Sequence, residues 1–151
     1  MKNERGTPMK RVLCVLLALC VLPVFANASP FDSFCGYVYA IGKTDFDDSQ
    51  KTVKDGRDVY TTATGLVVFQ LDSGTLKTIS VCGYGDEFLV NVFAAICTVE
   101  GGATNLLDNY SEFMMRYFEA HTGEKQTSMT KGGFVYIVRP FNDGYMFIIS
   151  R

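Results

Sequence analysis

The chain has no tryptophan, one histidine, four prolines and only 20% charged residues in 151. Each scarcity removes a class of protein. With His121 alone, and cysteines that lack paired spacing, the sequence writes no zinc site. Little proline, no low-complexity stretch and 48% apolar residues exclude a disordered or collagen-like chain and favour one compact domain. Basic residues are few and dispersed, so nucleic acid is not an expected partner. The longest apolar run, Val12–Leu22, falls short of the ~20 residues a membrane-spanning helix needs.

The net charge of −2 averages two unlike parts. Residues 1–28 carry Lys2, Arg5, Lys10 and Arg11 against Glu4, whereas residues 29–151 hold 10 basic and 15 acidic side chains. The basic start, the apolar run, Pro23 and the small-x-small Ala26-Asn27-Ala28 together predict a secretory signal peptide cleaved near Ala28. The mature protein would be Ser29–Arg151, acidic, in the periplasm or outside the cell, with no stable membrane insertion. Cys35, Cys82 and Cys97 would remain in it. In an oxidising compartment spacing favours a Cys35–Cys82 disulfide, joining two predicted strands, with Cys97 as a buried thiol.

The mature chain reads as α+β: an antiparallel sheet from two hairpins plus an N-terminal strand, packed on two central helices. Residues 35–41, rich in β-formers, predict the strand, and the polar stretch 43–64 a long loop. Residues 66–71 and 76–81 flank Asp72-Ser73-Gly74, a hairpin signal. Asp86 and Glu87 open a helix that is apolar on nearly every face and ends at Gly101-Gly102. A second helix is expected from Thr104 or Asn105 to about His121. Residues 134–139 and 145–149 around Asp143-Gly144 predict the second hairpin.

No chemistry is singled out. Gly42-Lys43-Thr44 resembles the end of a phosphate-binding loop, but Gly36 is one residue too early, and no cofactor is expected. Asp45-Phe46-Asp47-Asp48 lacks the turn glycine and distal Glu of a calcium loop and reads as a solvated acidic surface. Asn109-Tyr110-Ser111 matches a glycosylation sequon inside a predicted helix. A cysteine-dependent hydrolase would use Cys82 or Cys35 as nucleophile with His121, the single histidine, as base, and among the fifteen acids of residues 29–151 no spacing singles out a catalytic carboxylate pair. That hydrolase is the alternative; the first expectation is a small exported protein that binds another protein, as an inhibitor or immunity protein would. Its contacts would come from Asp45, Asp47 and Asp48 in the acidic loop, or from Phe141 and Asp143 at the hairpin tip.

Cys97-Thr98-Val99-Glu100-Gly101-Gly102-Ala103-Thr104, followed by a helix ending Tyr117-Phe118-Glu119-Ala120-His121, resembles the Rap/Tai family, as does Cys82-Gly83-Tyr84 upstream. Those are small periplasmic immunity proteins that neutralise peptidoglycan amidases delivered by type VI secretion. The resemblance spans residues 82–121 and implies a secreted protein that blocks a protein partner. It implies no catalytic residue, and it implies a helical fold where residues 134–149 read as a hairpin.

Overall fold

The computed structural model describes residues 29–43, 45, 46, 48–101 and 125–151. The predicted signal peptide, His121 and the expected second helix lie outside the described residues. Within them, helix α1 (Pro30–Gly42) leads through a 3-10 turn at Asp48–Gln50 into strands β1 (Lys51–Lys54), β2 (Arg57–Thr61), β3 (Gly65–Asp72) and β4 (Thr75–Gly83). Helix α2 (Gly85–Glu100) follows, and β5 (Thr127–Lys131), β6 (Phe134–Phe141) and β7 (Gly144–Ser150) close the chain. The strands form one sheet in the order β1-β2-β3-β4-β7-β6-β5, every neighbour antiparallel. Two meanders thus meet at the β4–β7 pair. The α+β class read from the sequence is this architecture.

Its N-terminal strand is not. Residues 35–41 are helical because the signals flanking them outweigh β-propensity. Ser29 caps α1 through a reciprocal box with Asp32, and Pro30 occupies the first turn, where a missing N–H costs nothing. Phe31, Phe34, Tyr37 and Val38 then recur on one buried stripe. Phe31 stacks on Tyr60 at 4.1 Å, and Phe34 meets Phe69 edge-on at 5.2 Å. Lys43, left-handed, ends the helix by donating its N–H to the Tyr39 carbonyl.

The expected loop over residues 43–64 is mostly a hairpin, β1–β2. Asp55 and Gly56 both take positive φ, as a two-residue turn between twisted strands requires. A second missed hairpin, β5–β6, turns on Gly132 and Gly133. The two hairpins read from sequence, β3–β4 and β6–β7, are present. In the latter the left-handed residue is Asn142 rather than Gly144.

Both described helices pack on one side of the sheet. Val67, Phe69, Ile79, Val81, Tyr136, Val138, Phe147 and Ile149 face them and are buried with Phe88, Val92 and Ile96 of α2 in a single core. Cys97 is wholly inside it.

Candidate functional site

The other side of the sheet, here the open face, has no described helix on it. Strand alternation sends a second set of residues there. One cross-strand row runs Val59, Val68, Ser80, Ile148, Ile137 and Ser128. The next runs Thr61, Leu66, Cys82, Met146 and Arg139. An antiparallel sheet with one solvated face normally turns polar residues outward. Here Leu66, Val68, Ile137, Met146 and Ile148 occupy outward positions and are only half-buried.

At one end of this face lies a shallow notch of about 270 Å³, lined by Gly65, Leu66, Cys82, Gly83, Tyr84 and the turn Phe141–Gly144. Its floor depends on small residues. A Cβ on Gly65 would run into the Cys82 carbonyl oxygen, and one on Gly144 into the Gly83 carbonyl oxygen. Tyr84 (57% exposed) and Phe141 (40%) are two exposed aromatics on its wall. Thr64 donates to the Glu87 carboxylate beside it, tying the β2–β3 connection to the first turn of α2.

The electrostatics of the second row are unusual. Arg139 rests with Nη2 3.1 Å from the Met146 sulfur, a weak acceptor. Its Nε is buried with no hydrogen-bond partner, and among the described residues no carboxylate forms an ion pair with it. Burial pushes the Cys82 thiol up, and the Arg139 charge only partly opposes that rise. Cys82 is therefore held as a thiol, the unreactive form of a nucleophile.

Of the residues singled out in the sequence, the structure brings Phe141, Asp143 and Cys82 together at the notch. Asp45 is exposed on the segment before β1, whose Phe46 packs against Phe34 and Tyr60 on the helix side. That segment and the notch are thus on different sides of the sheet. Asp47 lies outside the described residues, and Asp48 opens the 3-10 turn. No disulfide joins Cys35, Cys82 and Cys97. The expected Cys35–Cys82 bridge fails because residue 35 is in α1, in the helix layer, while Cys82 faces the opposite side of the sheet. Among the described residues no three of His, Cys, Asp and Glu converge as a metal site would need, and no helix is long and apolar enough to cross a membrane.

Sequence reasoning missed Arg139, Leu66, Met146 and Tyr84. A signal was present: residues 134–138 and 145–149 are nearly continuous apolar runs. In an antiparallel hairpin such runs put apolar side chains on both faces. Comparison with family models, with curated proteins and with solved structures gave no match.

Proposed function

We propose that this is a small exported protein that acts by binding another protein through the open face of its sheet. The observation that carries the reading is the outward set Leu66, Val68, Ile137, Met146 and Ile148, continuous with a notch walled by exposed Tyr84 and Phe141. Contiguous apolar surface of this kind, rimmed by polar groups, is typical of interaction sites, and aromatic anchors beside a pocket dominate binding energy. An inhibitor or immunity role is one form of this function and rests on the resemblance at residues 82–121. Export rests on residues 1–28.

The test compares capture by the wild-type protein, by a Tyr84→Ser/Phe141→Ser double variant and by Val53→Ser, which alters an exposed apolar residue on β1. A partner held by the wild type and by Val53→Ser but released by the double variant supports the reading. A partner held equally by all three overturns it. N-terminal sequencing of the exported product should begin near Ser29, and an intact Met1 would overturn the export component.

A further inference from the structure

The open face has a charge as well as a texture. In a chain whose residues 29–151 are net acidic, the outward rows of the described strands hold Lys54, Arg57 and Arg139, and their one carboxylate, Asp72 at the end of β3, is held by a lysine. Both strand acids are already paired with lysines. Asp58 shares the helix side with Tyr60 and pairs with Lys51 at 3.0 Å, and Asp72, at the β3–β4 turn, pairs with Lys77 at 2.9 Å. Asp143 sits in the turn at the notch.

We infer that the open face recognises a protein segment bearing a carboxylate, taken by Arg139, two strand positions from an apolar side chain seated in the notch. This rests on the binding function proposed above. Three observations point the same way. A guanidinium is a planar fork of five donors matched to a carboxylate, and that of Arg139 has a buried Nε without an acceptor and a sulfur in place of an oxygen. The Arg139 side chain as a whole is only half-buried and has no carboxylate partner among the described residues, so an incoming carboxylate can meet the outer part of its fork. Arg139 and Phe141 also lie on the same face of β6, two residues apart, roughly 7 Å along an extended chain. One short segment therefore reaches both. A second copy of this chain laid on the same face would set cations against cations, so a partner of opposite charge fits better than self-association.

The test presents a display library of random 12-residue peptides to the full chain in wild-type, Arg139→Met and Lys51→Met forms. Lys51 lies on the helix side, over the Phe31 ring, and serves as the control cation. Peptides selected on the wild type and on Lys51→Met should be enriched in Asp or Glu two positions from Phe, Leu or Met, and that enrichment should vanish on Arg139→Met. A selected peptide, made with Glu→Gln, should lose about 30-fold or more in affinity for the wild type. Should Arg139→Met not fold, Arg139→Lys takes its place and should bind more weakly than the wild type, because the charge stays and the fork is lost. Enriched peptides without acidic preference, or with the same preference on the Arg139 variant, overturn this inference and leave the binding function standing. No enriched peptide on the wild type overturns both.

Discussion

The Tyr136 hydroxyl donates to Glu100 Oε1 at 3.1 Å, fastening the middle of β6 to the last turn of α2. The ring is 3% exposed and lies against Phe147, so the bond joins a core side chain to a partly exposed carboxylate. Tyr136→Phe keeps the packing and removes the bond. Loss of a hydrogen bond to a charged acceptor predicts destabilisation of about 1–2 kcal/mol. It should appear in urea unfolding as a lower midpoint with an unchanged slope.

The same region makes the protein alkali-sensitive. Burial, with Glu100 nearby, pushes Cys97 from the ordinary 9.0 to about 12 and holds Tyr136 above the usual phenol range; burial also raises Tyr37. All three are neutral when protonated. In the unfolded chain they release protons at their ordinary values, while the folded chain keeps them, so stability falls as pH rises from about 9 towards 12. The melting temperature should be flat across neutral pH and drop above pH 9. Cys97→Ala should lower stability at neutral pH by leaving a small cavity and should also make that alkaline slope shallower. An unchanged slope would remove Cys97 from the explanation.

Cysteine chemistry separates binding from catalysis. Unfolded in denaturant without reductant, Cys35, Cys82 and Cys97 should each take an alkylating label, because none is in a disulfide. In the folded protein Cys97 should stay unlabelled, being fully buried with its thiol pushed up to about 12. Cys82 should react more slowly than an unstructured thiol at pH 7, since burial raises it too. A Cys82 that labels faster than the unstructured control would restore the nucleophile that its surroundings argue against.

What the sequence revealed of this fold followed the strength of local signals. The β3–β4 and β6–β7 hairpins join strongly apolar strands through turns rich in Asp, Asn and Gly, so pattern and turn chemistry agree. β1 and β5 are polar edge strands, KTVK and TSMTK, with little period-2 pattern, and only Asp55-Gly56 and Gly132-Gly133 betray them. Residues 35–41 misled because Tyr, Val and Ile favour strands weakly, whereas a cap and a buried stripe decide locally. The site was half-legible. Phe141 and Asp143 follow from a turn beside an aromatic. Arg139 acquires its character only from β7 beside it and β4 beyond that, a relation of register across distant segments that no local window contains.

The notch predicts a sharp steric response at Gly144. This residue pairs with Phe141 across the tip of the β6–β7 hairpin, and an added methyl would meet the Gly83 carbonyl oxygen and come within 3.3 Å of the Tyr84 Cβ. Its φ is not positive, so backbone strain does not enter. The obstacle is the neighbouring main chain, which must move because a carbonyl cannot rotate away as a flexible side chain can. Gly144→Ala should therefore destabilise by about 1–3 kcal/mol and shift Tyr84, closing the notch from one side. Gly74→Ala supplies the contrast, since an added Cβ there meets nothing within 4 Å and only its φ of +80° is unfavourable. If the notch receives a partner's side chain, Gly144→Ala weakens binding beyond its effect on stability, whereas Gly74→Ala lowers stability alone. Equal binding by the two variants, compared at a temperature where both are folded, would separate the notch from the binding surface.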